Sequence, residues 1–365
     1  MLPYHRKVPL RRAGMRIERI DIKNAPAQTY AALNAFMNEI RAERLPDDPP
    51  VPLEEEIRRA RAIPAFVDVL YWAGWDGDQV IADAHVSVMR TDENRHMVEF
   101  EIAVRKALRR RGIGTQLLAR IAEAVAREGR RLLVTSTRST IPDAEGFLRR
   151  IGAQVGLEGH TNQLDLRDLN RDLLPLWQAR AKERASDFEL LVWTEGIPEE
   201  HIGQFAAVLQ AMNRAPRGSL QIDDFQATPD QVREWHRAAA ERGEEVWTIV
   251  AREKATGRLA GLTEVVWHPN RPRILRQEAT GVLPEFQNRG LGRWMKAAML
   301  EKVLRERPQV AKIRTGNADS NAPMLKINYE LGFKPYISTY AWQVELAQVQ
   351  AYLDSVRATK LVGAV

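Results

Sequence analysis

The stretch that decides the fold runs Thr280-Gly-Val-Leu-Pro-Glu-Phe-Gln-Asn-Arg-Gly-Leu-Gly-Arg293. A short apolar run enters a turn with the pattern Gln-x-x-Gly-x-Gly, and an amphipathic helical pattern follows directly. Gly290 and Gly292 allow close approach of a bulky anion, which then faces free N–H groups and the positive end of the helix dipole. Arg289 and Arg293 add positive charge. We interpret the turn as a pyrophosphate-binding site. Ordinary strand-to-helix turns share the pattern, so the choice between the two interpretations depends on the flanking sequence motifs.

Length and composition are typical of a globular protein. The chain has 365 residues, enough for two domains, and lacks an apolar run long enough to cross a membrane. It has no cysteine, which excludes disulfides, a cysteine nucleophile and thiolate metal sites. Its seven histidines show no metal-ligand spacing. We expect a cytoplasmic protein without a metal.

The charge distribution does not favour a nucleic-acid partner. The net charge is +6, from 54 basic and 48 acidic residues, and residues 1–14 contribute four basic residues and no acid. This opening lacks the apolar core of a signal peptide. We expect it to be a disordered tail, and Met15 is an alternative start because a strand-like stretch follows it. The sequence leaves a monomer or a homodimer open.

The predicted elements recur in the same order in two halves. The first half reads as strand 16–22, helices 29–44 and 53–62, strands 66–75, 80–89 and 96–104, an arginine-glycine turn with its helix, strand 132–137, a short helix ending near Gly152, and strand 163–166. The second half reads as strands 248–252, 259–267 and 275–282, the glycine turn with its helix, strand 310–315, helix 324–331, and strand 340–346.

The spacing between the halves is nearly constant. Arg111 and Arg289 lie 178 positions apart, as do Gly112 and Gly290, whereas Gly152 and Gly332 differ by 180. This register predicts a duplicated domain over residues 16–167 and 186–347, joined by a linker at 168–185. We expect the last segment, 347–365, to be peripheral.

The motifs of the second half resemble those of the GNAT superfamily of N-acyltransferases. They are Thr280-Gly-Val, the glycine turn, the run from Thr315 to Met324, and Asn328-Tyr-Glu-Leu-Gly-Phe333. The asparagine-rich ends resemble tandem GNAT proteins of the mycothiol synthase type. The resemblance implies an α/β fold with two tandem acyl-CoA N-acyltransferase domains, each a mixed sheet that splits where acyl-CoA inserts. It implies acetyl-CoA as co-substrate and no metal, and it does not name the amine acceptor.

The resemblance also implies the residues that contact acetyl-CoA. In the second half they would be Val282, Leu283, Pro284, Gln287, Asn288, Arg289, Gly290, Leu291, Gly292, Arg293, Asn317 and Asn321. In the first half Val104, Arg109, Arg110, Arg111, Gly112, Ile113, Gly114 and Thr115 hold the corresponding places.

Acyl transfer to an amine requires a proton acceptor, and Glu278 is our first candidate. Strand alternation places Glu278 on the same face as Thr280 and Val282, toward the acceptor side. The alternative is a structural ion pair with Arg276 or Arg314. Glu264, on the adjoining predicted strand, is a second candidate.

A proton donor to the leaving thiolate is less well defined. Many family members place a tyrosine four residues before the glycine of Gly332-Phe333, where this chain has Asn328, and Tyr329 comes one residue later. A one-residue shift on a helix rotates a side chain by about 100°. Tyr329 is therefore either the proton donor to the thiolate or a packed helix tyrosine. Asn328 would instead orient the thiol or a water molecule.

The two halves look unequal. The spacing of 178 aligns Glu278 with Phe100, and the spacing of 180 found at Gly332 aligns Asn328 with Leu148, so neither proton-handling group is present in the first half. We expect the first half to be degenerate and the second to transfer an acetyl group from acetyl-CoA to a primary amine of a small molecule or protein. The alternative is a non-catalytic acyl-CoA sensor or scaffold. A nucleic-acid binder would rest only on the basic tail and Arg109–Arg111, and no aromatic-basic signature supports it.

Overall fold

A computed structural model describes residues 15–362, so the expected tail at 1–14 lies outside the described residues. The strands are β1 (Arg16–Ile20), β2 (Val67–Asp76), β3 (Gln79–Met89), β4 (Met97–Val104), β5 (Leu132–Arg138), β6 (Gln154–Asp165), β7 (Phe188–Trp193), β8 (Glu245–Glu253), β9 (Leu259–Trp267), β10 (Ile274–Val282), β11 (Lys312–Ala318) and β12 (Lys334–Glu345). The helices are α1 (Ala27–Arg44), α2 (Leu53–Arg61), α3 (Ile113–Arg127), α4 (Pro142–Arg150), α5 (Leu173–Arg184), α6 (Ile202–Leu209), α7 (Pro229–Glu241), α8 (Leu291–Glu306), α9 (Ala322–Leu331) and α10 (Leu346–Val362).

One mixed sheet of twelve strands runs through both halves, in the order β1-β2-β3-β4-β5-β12-β6-β11-β10-β9-β8-β7. Within the described residues the parallel pairs are β4 with β5 and β10 with β11. The helix between the two parallel strands, α3 or α8, provides the crossover that such a pair requires. The sheet therefore contains two copies of the same arrangement, one in each half.

The two halves exchange their last strands. β6, from the first half, pairs with β11 of the second, whereas β12 pairs with β5 of the first. The two exchanged strands pair with each other at the centre. Both are longer than the sequence predicted, because β6 begins at Gln154 and β12 at Lys334. The boundaries at 167 and 186 stay a prediction, since each half is completed by a strand of the other.

Each hydrophobic core contains residues of the strand that the other half contributes. Trp342 and Val344 of β12 lie in the core of the first half, and Leu164 of β6 lies in the core of the second. The prediction that residues 347–365 are peripheral is wrong for α10, because Val349 and Leu353 are buried in the first core. Apolar residues on one face of α10 require that burial, and α3 provides the partner surface.

In each half, the segment that follows the first helix also contacts the other half. Asp48, just after α1, contacts Arg314 on β11. In the second half the segment after α6 crosses to the first, where the side chain of Asn94 accepts a 2.9 Å hydrogen bond from the N–H of Asp223. These segments therefore add contacts between the halves to those made by the exchanged strands.

Candidate functional site

The two glycine turns have the same backbone. Gly112 and Gly290 are the N-caps of α3 and α8 with φ of 79° and 85°. Two positions earlier, Arg110 and Asn288 also have positive φ, 62° and 63°. Left-handed backbone at these positions turns successive N–H groups toward one side, which is the geometry of an anion-binding nest at a helix N-terminus.

The strand end before each turn is capped in the same way. Arg109 donates a 3.0 Å hydrogen bond from Nε to the carbonyl of Val104, and Gln287 donates one of 3.1 Å from Nε2 to the carbonyl of Val282. Arg109 and Gln287 are 178 positions apart, like the glycines. The side chain that opens each turn thus fixes the end of the strand.

The first half contains a cleft between its two parallel strands. β4 and β5 pair only up to Glu99 and Val134 and then diverge, so backbone groups of β4 beyond Glu99 have no ladder partner on β5. The opening is a cavity of about 320 Å³. Its walls include the ends of both strands, the glycine turn and α4, with Val104, Gly112, Gly114, Thr135 and Phe147 among the lining residues.

The arginines of the two turns differ in their contacts. Among the described residues, Arg110 and Arg111 form no ion pair, and both are exposed. In the second half Arg289 is held by both carboxylate oxygens of Asp187, at 2.7 and 2.8 Å, and Arg293 pairs with Glu330 at 3.0 Å. A phosphate therefore meets available guanidinium groups at the first turn and occupied ones at the second.

An arginine–glutamate pair lies at the inner end of the first cleft. Arg44, in the last turn of α1, contacts the carboxylate of Glu101 on β4, and both line the cavity. Burial opposes ionisation of Glu101, but Arg44 and His85 together hold the pKa of its carboxyl below the ordinary value. Glu101 is therefore a carboxylate at neutral pH and can attract an ammonium group.

Further polar groups stand behind this pair. His85 lies opposite Glu101 in the β3–β4 register, and its ring stacks on Tyr71 with centroids 5.9 Å apart. Burial lowers the pKa of His85, so its imidazole is neutral at pH 7. Tyr71 donates a hydrogen bond to Asp83, whose pKa burial raises to about 7. The site thus offers a neutral proton acceptor beside a carboxylate.

The expectation that Phe100 takes the place of Glu278 is wrong. β3 and β4 pair without a shift, but β10 and β9 shift register between Gln277 and Thr280. This bulge adds one residue to β10, so the spacing of 178 holds only after it. Before the bulge Glu278 corresponds to Glu101, and Gln277 to Phe100. An acidic residue therefore stands at this position in both halves.

The second half has its own pair of carboxylates. Glu278 is half-exposed and accepts a 2.9 Å hydrogen bond from Arg276, the structural pairing that the sequence left open. Glu264 occupies the position of His85 and accepts a 2.9 Å hydrogen bond from Thr248. Burial, with the nearby charge of Glu278, raises the pKa of Glu264 to about 7. A carboxyl group with this pKa suits a general base at neutral pH.

The polar residues of α9 are tied into the structure. Asn328 is fully buried, donates to Asn317 at 2.8 Å and accepts from Lys296 at 3.1 Å. Burial lowers the pKa of Lys296 to about 7. These contacts join α8, α9 and β11, which would border acyl-CoA in the second half. Asn321 caps α9 through the N–H of Met324, at 3.4 Å.

The structure also shows the surroundings of the remaining predicted residues. Tyr329 is 47% exposed, so it is not a packed helix tyrosine. Ile113 and Leu291 are buried in the two cores, and the N–H of Leu283 is used by the carbonyl of Ala260 at 2.8 Å. Thr115 contacts the hydroxyl of Tyr352 at 3.3 Å. The structure thus brings each set of loop residues together, and their acyl-CoA contacts stay a prediction.

Sequence reasoning missed Arg44, His85 and Glu101. A signal for Glu101 was present, because the strand 97–104 reads Met-Val-Glu-Phe-Glu-Ile-Ala-Val, with two acids, Glu99 and Glu101, in an otherwise apolar strand. Arg44 and His85 come from other elements, and only the register of β3 and the end of α1 bring them to Glu101.

Within residues 15–362 no three metal-ligating side chains come together. No helix of the described part has the length and hydropathy needed to cross a bilayer.

Comparison with known proteins finds a family match within the first half. Residues 33–153 match the model described as "Acetyltransferase (GNAT) family". This span runs from α1 through the glycine turn to the end of α4. The match therefore lies in the half that the sequence predicted to be degenerate. None of the curated proteins compared matches the chain.

Solved structures show the same tandem fold. A tandem GNAT protein from the clavulanic acid biosynthesis pathway matches 91% of this chain and 99% of its own, with 22% identity and a TM-score of 0.74. A GCN5-related N-acetyltransferase from Sphaerobacter thermophilus matches 90% of this chain and 96% of its own, with 13% identity and a TM-score of 0.62. The predicted tandem GNAT fold is confirmed.

Proposed function

We propose that this chain transfers an acetyl group from acetyl-CoA to a primary amine, and that acetyl-CoA binds in the cleft of the first half. The observation that carries the proposal is the split between β4 and β5, which opens into a cavity of about 320 Å³ between the glycine turn and α4. The exposed Arg110 and Arg111 support phosphate binding at its outer end. The matched GNAT family supports acyl transfer in general.

The chemistry follows from the groups around the cleft. The amine nitrogen attacks the thioester carbonyl carbon, the carbon–sulfur bond breaks, and the thiolate takes up a proton to leave as CoA. The unpaired backbone of β4 beyond Glu99 supplies N–H groups for the pantetheine arm and the developing oxyanion. Glu101 attracts the ammonium form of the acceptor, and neutral His85 accepts the proton whose loss makes the nitrogen nucleophilic and later releases it to solvent. The second proton, lost after the carbon–nitrogen bond forms, goes to the departing thiolate.

A non-catalytic acyl-CoA sensor is the second candidate. It is favoured by one observation, the contact between Arg44 and Glu101, which keeps the carboxyl group of Glu101 a weak base. A sensor would bind acetyl-CoA and release no thiol when amines are added.

The experiment that separates the two measures free thiol from acetyl-CoA in the presence of a panel of primary amines. Transfer requires amine-dependent thiol release and a product heavier by one acetyl group. Saturable acetyl-CoA binding without release across the panel would favour the sensor.

A further inference from the structure

A second cavity lies between the two halves. It has a volume of about 220 Å³. The first half lines it with Leu45, Asp48, Arg138 and Thr161, and the second half with residues of β9, β10 and β11, of the β9–β10 loop and of the segment before β8. At about 30 Å³ for each water, this space corresponds to roughly seven waters. It is large enough for a small acceptor of amino-acid size.

The cavity has an excess of positive charge. Four arginines and three carboxylates line it. Arg276 lies between Glu244, at 3.2 Å, and Glu278, at 2.9 Å. Arg271 pairs with Glu55, which lies outside the cavity, at 2.8 Å. All three lining carboxylates therefore have arginine partners.

Two guanidinium groups keep unused donors. Arg314 is only 7% exposed; it contacts Asp48, donates to Gln163 at 2.9 Å and lies over the ring of Tyr336. Its Nη2 is nevertheless buried without a hydrogen-bond partner, as is Nε of Arg138. Within residues 15–362 Arg138 has no side-chain hydrogen bond or ion pair. Buried donors of this kind are costly to leave unsatisfied, so an acceptor bound in the cavity gains hydrogen bonds from them.

Arg138 connects this cavity to the acyl-CoA cleft. It stands at the end of β5 and lines both spaces. On the cleft side Arg138 interacts electrostatically with the charges of Arg44 and Glu101. A molecule held by Arg138 in the cavity therefore lies next to the group that attracts the amine.

We propose that the acyl acceptor carries a carboxylate, bound between the two halves by Arg138 and Arg314. This inference rests on the proposed acyl transfer, because it names the acceptor class of the same site. The planar guanidinium matches a carboxylate with paired hydrogen bonds. The acceptor is then an amino acid or a similar small amine with a carboxylate at one end and its amino group near Glu101.

The test compares matched acceptors. The kcat/KM for acetylation is measured for small amino acids and for the corresponding uncharged amides, with wild type and with Arg138→Gln. We expect wild type to prefer the acid by about tenfold to a hundredfold, the range for a hydrogen-bonded charge, and Arg138→Gln to bring the ratio close to one. Arg138→Lys, which keeps the charge without the fork, should give an intermediate ratio. Arg127→Gln on the exposed face of α3 is the charge-matched control and should keep the wild-type ratio.

A binding measurement keeps the inference separate from turnover. N-acetylglycine and its uncharged amide are compared by saturation-transfer NMR. The acid should bind wild type and not Arg138→Gln, and the amide should bind neither. That pattern without any amine turnover would refute acyl transfer and keep the anion site. Equal kcat/KM for acids and amides, or binding of N-acetylglycine unaffected by Arg138→Gln, would overturn the inference and leave the proposed transfer standing.

Discussion

The indole of Trp342, in the last strand of the second half, donates a 2.8 Å hydrogen bond to the hydroxyl of Thr137 in the first half. Trp342 is fully buried there and packs with the residues of the first core. The first half is thus completed by a residue about 200 positions further along the chain. The halves should therefore behave as one folding unit.

Trp342→Ala should destabilise the whole chain. Loss of a fully buried tryptophan costs about 3–5 kcal/mol, and here the loss also leaves the Thr137 hydroxyl without its partner. Urea unfolding followed by tryptophan fluorescence should show one transition at lower urea. Trp342→Phe keeps most of the apolar volume and should therefore lose less stability. Two separate transitions in wild type, with only one affected, would show that the halves fold independently.

His85→Gln should slow acetylation by about 100-fold or more, the lower part of the range for a general base. Because burial lowers the pKa of His85, the wild-type rate should fall only below the ordinary histidine value near pH 6.5, where the imidazole gains its proton. The variant should lose that acid limb in a pH profile of kcat. An unchanged profile would assign the limb to another group.

Glu101→Gln should raise the KM for the amine while acetyl-CoA binding survives. The substitution keeps the shape and removes the negative charge that faces the ammonium group. Calorimetry of acetyl-CoA binding provides the control, because a loss of acetyl-CoA affinity along with the rise in amine KM would mean that the cleft itself is disturbed.

Glu264→Gln should change the pH dependence of stability. Burial raises the pKa of Glu264 to about 7, above the ordinary value of 4.5, so the folded protein retains a proton that the unfolded chain has lost. The contribution is favourable at low pH and is lost as pH rises through about 7. Relative to wild type, the free energy of unfolding of the variant should therefore rise by about 2–3 kcal/mol between pH 5 and pH 8.5, at 1.36 kcal/mol for each pKa unit. Urea unfolding at the two pH values measures this gain, and a constant difference would mean that Glu264 titrates normally.

The sequence was sufficient for the features that depend on local pattern. The glycine turns, their helices and the duplicated register follow from positive-φ positions and from apolar periodicity, and these are local properties. The duplication could therefore be predicted from the spacing of Gly112 and Gly290, whereas the GNAT fold was implied by the resemblance of the second half's motifs.

The rest depends on pairing between distant strands. Sequence spacing cannot show the bulge between Gln277 and Thr280, and that single extra residue moved the equivalent of Glu278 from Phe100 to Glu101. The exchange of β6 and β12 is equally invisible, because the two strands have similar patterns and either could pair with β5. The prediction of a degenerate first half rested partly on the first of these errors and partly on Leu148 at the position of Asn328.

The account's central claim is that acetyl-CoA binds in the first half, and paired glycine variants test it most directly. Gly112→Glu and Gly290→Glu place the same charge at the same point of each turn. Both glycines have positive φ and open space around the added Cβ, so backbone strain is matched. Gly129→Glu, also at positive φ in open space, controls for strain within the first half. Acetyl-CoA affinity is measured by calorimetry for all three variants. We predict that Gly112→Glu abolishes binding and amine-dependent thiol release, while Gly290→Glu and Gly129→Glu retain both. Retained binding in Gly112→Glu with loss in Gly290→Glu would contradict the account and return the site to the second half.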